Sequence, residues 1–174
     1  RFVVENNDLP EVDQSVIDAY KERILRPLDI FEKHKGDTTD PDVNPAYIRP
    51  KQFMFRLQKI MDEYAAGVSA NFSTSKALMD KGMELMAFLK EDSEKVAAEG
   101  LHELMRAWEN IHRMWQGEVH IRTIMAREET RWPGYYFRAD FPTMKDDGEY
   151  FMNAKYDEAK DEWEMIKRPI HRLI

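Results

Sequence analysis

The feature that most constrains the fold is a long stripe of apolar and aromatic side chains between residues 101 and 119. These side chains recur three or four positions apart, which is the spacing of one face of an α-helix. We expect a helix from about residue 94 to residue 130, roughly 50 Å long at 1.5 Å per residue. Such a helix is longer than a small bundle, so one end should project towards another part of a larger protein. The stripe consists of Leu101, Leu104, Met105, Trp108, Ile111, His112, Trp115 and Val119.

Three further stretches have weaker helical patterns. Residues 14–34 repeat apolar side chains with helical spacing, and Pro27 within them predicts a kink or two abutting helices. Residues 50–67 form a second pattern, and Ser73 or Thr74 is positioned to cap a third helix. The side chains expected to point inward from the last two helices are Phe53, Leu57, Ile60, Met61 and Tyr64, and Leu78, Leu85, Met86 and Leu89.

The end of the chain has moderate strand character. Residues 149–156 and 162–167 flank a short polar stretch, which predicts a terminal β-hairpin. The predicted fold class is mainly α, an antiparallel three-helix bundle with an extra N-terminal helix and a small C-terminal β-hairpin. A loop rich in proline and aspartate divides the chain into an N-terminal helix and linker, 1–50, and a C-terminal helical domain with the hairpin, 51–174. We expect one globular unit that is a fragment of a longer chain.

Composition excludes several kinds of partner. The 174 residues have a net charge of −7 and no basic face, which argues against nucleic acid. The absence of cysteine excludes disulfides, thiolate nucleophiles and Cys-ligated zinc or iron–sulfur clusters from this chain. No apolar run approaches the roughly 18 residues of a membrane helix, so we expect no membrane insertion. These features are compatible with a reducing cytoplasm, which is the location that we expect.

Few residues suggest catalysis or metal binding. Two Glu-x-x-His pairs, Glu99 with His102 and Glu109 with His112, have the spacing of ligands in di-iron bundles. Both pairs lie on one helix about 15 Å apart, so they cannot share a dimetal centre, and we predict no metal site. We expect His112, between two tryptophans, to be a hydrogen-bonded core histidine. Because no glycine-rich dinucleotide motif or nucleophile elbow is present, we assign no catalytic or cofactor-binding residue.

The densest chemistry lies in residues 127–142, which we call the corner. This segment holds three arginines, three acidic residues and five aromatic residues, and a Pro-Gly pair ends the preceding helix. One interpretation is a docking surface, since arginine forks suit carboxylate, phosphate or sulfate groups. The other is a structural clamp in which arginines pair with neighbouring acids. The candidate docking residues are Arg127, Arg131, Trp132, Tyr135, Tyr136, Arg138 and Asp140.

The corner also contains recognisable motifs. Its Arg-x-Glu-Thr-Arg run, the aromatic and glycine turn, and the Arg-x-Asp-Phe-Pro run resemble the C-terminal helical domain of the succinate dehydrogenase and fumarate reductase flavoprotein family. Residues 44–52, 56–64 and 153–157 are similar to the adenylylsulfate reductase branch of that family. In most of the wider family a short Gly-Ala-His turn separates the last two arginines. Residues 132–136 here, Trp-Pro-Gly-Tyr-Tyr, form a longer turn without histidine, which favours the adenylylsulfate reductase branch.

The resemblance implies a role within a larger enzyme. The parent protein would be an FAD-dependent oxidoreductase that reduces adenylylsulfate to sulfite and AMP, or runs the reverse reaction, with an iron–sulfur beta subunit as electron partner. In this family the FAD fold and the substrate-binding residues lie upstream, so neither FAD binding nor catalysis is expected in this fragment. The domain would pack on the FAD and capping domains and support subunit association. Two alternatives stay open: a non-enzymatic helical interaction module, and the C-terminal domain of a succinate dehydrogenase-like or fumarate reductase-like flavoprotein.

Overall fold

The protein is mainly helical and ends in a small β-hairpin, which confirms the predicted fold class. The computed structural model describes residues 11–131, 136–145 and 149–171. Within these ranges, no helix combines the length and apolarity that crossing a membrane requires. The helices are α1 (Gln14–His34), α2 (Pro50–Tyr64), α3 (Lys76–Ser93) and α4 (Leu101–Ala126), and the strands are β1 (Ser73–Thr74), β2 (Phe137–Arg138), β3 (Tyr150–Asp157) and β4 (Glu162–Pro169).

The helices α2, α3 and α4 form the bundle. Arg56 in the middle of α2 pairs with Asp92 near the end of α3, whereas Tyr64 at the end of α2 meets Gly82 in the first half of α3. These contacts make α2 and α3 antiparallel, as predicted. A Cβ added at Gly82 would lie 2.9 Å from the Cβ of Tyr64, so the two backbones approach too closely for a larger residue.

The core lies between these three helices, and α4 contributes a different face from the predicted one. Leu104 and Ile111 are buried as expected, but Trp115 and His112 are exposed. His112 is therefore not a core histidine; its ring packs between two tryptophans on the outside of α4. Smaller residues face inward because α2 and α3 leave little room for indole rings. The core positions of α4 that the sequence pattern missed include Ala107, Met114, Gly117, Ile121 and Ile124.

A similar shift affects α3. Met79 is fully buried, whereas Leu78, which we expected to point inward, is exposed. The helix is capped by Ser75, whose side chain accepts a hydrogen bond from the backbone N–H of Leu78, and neither Ser73 nor Thr74 takes that role. The cap lies one residue later because Ser73 and Thr74 form β1.

The helix α4 is shorter than expected at both ends. Its 26 residues span about 39 Å at 1.5 Å per residue. Before it, Val96 lies in an extended segment that pairs with Ile48, because the backbone N–H of Ile48 donates to Lys95 O at 2.9 Å and that of Ala97 to Ile48 O at 3.0 Å. These backbone hydrogen bonds keep residues 95–97 out of the helix.

The helix α1 lies outside the bundle and continues through Pro27 as one helix, so the two abutting helices expected as one possibility are not formed. Its second half is fixed by Phe31, which packs on Tyr47 with ring centroids 5.7 Å apart. The backbone N–H of Ala98 also donates to Pro27 O at 2.8 Å. A second, smaller core of Phe31, Tyr47 and Ala97 therefore joins α1 to the segment before α2 and to the connection between α3 and α4.

We expect Ile121→Ala to lower the free energy of unfolding by about 2–5 kcal/mol, because it removes fully buried atoms and leaves a cavity in the core. Leu101→Ala on the same helix is the matched control. Leu101 is 75% exposed, so its replacement should change stability by less than about 0.5 kcal/mol. Urea denaturation of the 174-residue chain measures both effects, and equal losses would contradict the assigned core face.

Candidate docking surface at the corner

A single buried arginine holds the corner against two helix ends. Arg138 is 1% exposed, and its Nη1 donates to Ile124 O at 2.5 Å and to Met125 O at 3.5 Å. Its Nε and Nη2 donate to the two carboxylate oxygens of Asp140 at 2.8 and 2.9 Å. Asp140 also accepts from the backbone N–H of Lys76 at 2.8 Å. The guanidinium group thus contacts the carboxyl-terminal end of α4, and the carboxylate contacts the amino-terminal end of α3. Each charge is opposite in sign to the helix dipole at that end, so both contacts are favourable.

Backbone pairing fixes where this arginine lies. The strands β1 and β2 are parallel, and the backbone N–H of Phe137 donates to Phe72 O at 2.7 Å. The buried hydroxyl of Thr130 accepts from the backbone N–H of Arg138 at 2.8 Å and donates to Phe141 O at 2.9 Å. Hydrogen bonds within the domain therefore hold the corner to the loop that precedes α3 and hold its own residues together. No contact with another domain is needed for this.

A second cluster surrounds Glu129, which is fully buried. Arg127 Nε donates to its carboxylate at 2.7 Å, and Arg131 does so through Nε at 3.0 Å and Nη2 at 3.1 Å. The backbone N–H of Lys145 donates to the same carboxylate at 3.0 Å. Arg127 also donates to Tyr150 O at 3.1 Å and lies 4.6 Å from the centre of that ring. Glu129 is thus the hub that ties the corner to the hairpin.

Both carboxyl groups are held in the charged form. Burial by itself would raise the pKa of Glu129, but hydrogen bonds from Arg131, the Lys145 backbone and Arg127 outweigh it and lower the pKa. The side-chain hydrogen bonds from Arg138 lower the pKa of Asp140 to about 2 against the opposing effect of burial, and the Lys76 backbone N–H helps. The ion pairs therefore persist throughout the neutral range.

The structure places the predicted docking residues that it describes in these two clusters or beside them. The four charged residues pair with groups inside the domain, and the hydroxyl of Tyr136 donates to Glu129 O at 3.0 Å. Trp132 and Tyr135 lie outside the described residues. Contact between these seven residues and another domain stays a prediction. The four charged residues are Arg127, Arg131, Arg138 and Asp140.

Sequence reasoning missed Glu129 as the hub. We expected the helix to continue to about residue 130, but α4 ends at Ala126. Glu128 then takes a positive φ of 21°, and both arginines approach Glu129 from positions two residues away. The available signal was the symmetric Arg-x-Glu-x-Arg spacing, which suits a carboxylate shared by two guanidinium groups.

A cleft of about 840 Å³ opens beside the corner, between the ends of α2 and α4 and the hairpin. Its rim carries the exposed apolar side chains of Met144, Phe151 and Ile170. His120 lies in the same cleft, and burial lowers its pKa, which favours the neutral ring. The cleft is therefore an apolar surface next to an internally neutralised set of charges.

The Glu-x-x-His pairs do not converge on a common point. Glu99 pairs with Arg49 at 3.1 Å, and Glu109 pairs with Arg106 at 3.3 Å. In the ranges that the structure describes, no group of three or more histidine, aspartate or glutamate side chains is arranged to hold a metal ion. The acidic members of the two pairs instead take part in ion pairs near the surface.

Comparison with known proteins establishes the family. The sequence profile of the family described as fumarate reductase flavoprotein C-term matches residues 55–172, which is more than half of the chain. The chain belongs to the fumarate reductase flavoprotein C-terminal family. This membership confirms the resemblance that the corner motifs predicted, and it covers the bundle, the corner and the hairpin.

Relatives in the adenylylsulfate reductase branch are similar over the whole chain. The adenylylsulfate reductase subunit alpha of Megalodesulfovibrio gigas is 47% identical over 176 residues, which cover 100% of this chain and 26% of the relative. The solved structure of adenylylsulfate reductase from the hyperthermophilic Archaeoglobus fulgidus is 48% identical with a TM-score of 0.93, covering 99% of this chain and 27% of that one. A structure of adenosine-5-phosphosulfate reductase in complex with sulfite as a covalent adduct is 48% identical with a TM-score of 0.94, with the same coverage. The chain spans about a quarter of the length of these relatives.

The stability of this family member should depend on the charge of Asp140. Because its folded-state pKa is lowered from 3.8 to about 2, its contribution is complete above its ordinary pKa and is lost as the pH falls towards 2. That contribution is on the order of 1–2 kcal/mol. Urea denaturation between about pH 7 and pH 2 should show that Asp140→Asn is less stable at neutral pH and loses less stability on acidification. An unchanged pH slope would contradict the assignment.

Proposed function

We propose that this chain is the C-terminal structural and docking domain of a flavoprotein oxidoreductase subunit that resembles adenylylsulfate reductase alpha. The whole subunit would convert adenylylsulfate and two electrons to sulfite and AMP, or run the reverse reaction. The observation that supports this proposal is 47–48% identity over 99–100% of the chain to proteins of that name. FAD would be bound by the rest of the parent chain, an iron–sulfur beta subunit would supply electrons, and the enzyme would be cytoplasmic. The fragment itself would not be catalytic.

The docking surface in this proposal is the corner together with the rim of its cleft. The charged groups of the corner are already paired inside the domain, so covering them does not strand an unpaired charge in an interface. Exposed apolar residues also lie near these charges, namely Phe72, Phe137 and Met144. The centre of a protein interface is typically poor in charged residues and rich in aromatic residues and methionine. The corner fits this description, because its charges are paired and exposed aromatic and thioether groups lie near them.

Backbone strain at Phe72 supports the same surface. Asn71 and Phe72 both adopt left-handed conformations, with φ of 52° and 55°. Such a conformation costs on the order of 1–3 kcal/mol for a residue like phenylalanine and persists where the surroundings require it. Here the carbonyl of Phe72 accepts a hydrogen bond from the backbone N–H of Phe137 in β2, and Phe72 stays 41% exposed. The strained backbone therefore leaves Phe72 exposed beside β2, at the surface that we propose is covered.

The test is a double substitution, Phe137→Ser with Met144→Ser, in the full-length subunit. We expect lower FAD content and weaker subunit association, because the covering domains lose their apolar contact. Unfolding of the 174-residue chain measures the cost in stability separately, and Met144, which is 58% exposed, should contribute little to that cost. Phe88→Ser is the matched control, an exposed aromatic residue about 18 Å along α3 from the corner end of that helix.

Replacement of Trp132 and Tyr135 by alanine extends the test to the predicted docking residues outside the described ranges. Both variants should lower FAD content and weaken subunit association, as we expect for the Phe137 and Met144 double substitution. If FAD content and association match the unsubstituted enzyme in every corner variant, the corner is a clamp within the domain and does not dock.

A further inference from the structure

The helix α1 carries one apolar face along its whole length, but the domain covers only its second half. Pro27 and Phe31 are buried. Val16, Tyr20 and Ile24 lie on the same face, within an arc of about 80° at 100° per residue, and are 47%, 59% and 47% exposed. The first half of α1 therefore overhangs the bundle with its apolar side uncovered. We call these three residues the α1 stripe.

The support for α1 begins near Ile24. Trp108 Nε1 donates to Ile24 O at 3.0 Å, and the guanidinium of Arg23 lies 5.9 Å from the centre of the Trp108 ring. Arg26 pairs with Glu94. Residues before Ile24 have a different set of contacts. Among the residues that the structure describes, the side-chain hydrogen bonds and ion pairs of residues 13–22 join them only to one another.

The uncovered half is nevertheless a well-defined helix. Asp13 caps it by accepting a hydrogen bond from the backbone N–H of Ser15 at 2.9 Å, so the helix has its own start signal. Helices shorter than about 12–15 residues are marginal in water without tertiary packing. Residues 14–22 form fewer than three turns beyond the last support, so a capped helix with an apolar face here implies a surface on which it packs.

We propose that the α1 stripe packs on an apolar patch in the upstream part of the same polypeptide. This inference rests on the proposed function, because it requires the three quarters of the parent chain that the matched relatives have in addition to this domain. The family is named for the C-terminal part of the flavoprotein, so that additional part precedes this domain.

The size of the α1 stripe favours a covalently joined partner. Nine residues of helix are about 14 Å long and roughly 10 Å wide, so the surface presents on the order of 150 Å². A stable interface between separate proteins buries about 800 Å² on each partner. A tethered partner has a high effective concentration and needs far less contact area. A second copy of the chain or a separate subunit would need a much larger surface than these three side chains provide.

The test is site-specific photo-crosslinking in the full-length, FAD-containing subunit. Tyr20→p-benzoylphenylalanine places the probe in the α1 stripe, and the same probe at Glu22 is the matched control on the opposite, exposed face of α1. After irradiation of a mixture of ¹⁴N-labelled and ¹⁵N-labelled chains, we expect crosslinked peptides that join residue 20 to upstream residues of the same chain. Their yield should be several-fold higher than at position 22.

Each other outcome overturns the inference. These outcomes are crosslinks of mixed isotope composition, crosslinks to a separate subunit, crosslinks confined to residues 1–10, and a yield no higher than at position 22. A third probe at Phe137 separates this failure from that of the proposed function. Upstream crosslinks from Phe137 but not from Tyr20 would reject the α1 stripe alone. Their absence from both positions would reject the docking role of the domain as a whole.

Discussion

The architecture depends on one ion pair, between a buried arginine and a partly exposed aspartate, that joins two helix ends. Arg138 satisfies carbonyl groups at the end of α4, and Asp140 accepts the first backbone N–H of α3. The two residues are bidentate partners, so the end of one helix, the start of another and strand β2 share a single rigid connection. The burial of this arginine, which is 1% exposed, is tolerated because each of its three guanidinium nitrogens donates to an acceptor. The direction in which the corner leaves the bundle follows from this pair.

This arrangement changes how the many charged residues of the corner are interpreted. Three arginines in a short segment suggest a site for an external anion, but Glu129 and Asp140 already occupy that role. The charges stabilise the shape of the corner, and the docking that we propose involves the exposed apolar groups beside it. In a protein that spans about a quarter of its relatives' length, such a division is expected, because interfaces between domains need fixed shape and few unpaired charges.

The sequence predicted the helices, the hairpin and the family well, because periodicity and short motifs are local signals. It predicted the face of α4 poorly, since tryptophan size suggested burial while close helix approach selected Ala107 and Met114. The end of α4 was also missed, because the group that binds its last carbonyls, Arg138, lies fourteen residues after Ile124. The hub role of Glu129 depends on contacts with Lys145 in the folded chain. The Arg-x-Glu-x-Arg spacing signals only the two local arginine pairs of Glu129, and the non-local contacts of Lys145 and Arg138 have no signature in sequence spacing alone.

The central claim is that Arg138 and Asp140 act as one unit that holds the corner on the helix ends. A double-mutant cycle with Arg138→Met and Asp140→Asn, measured by urea denaturation at neutral pH, isolates their interaction. The account predicts a coupling energy of about 1–3 kcal/mol, with the double variant much less destabilised than the sum of the single variants. Additive effects, within about 0.3 kcal/mol, would show that the two residues act independently and would contradict the account.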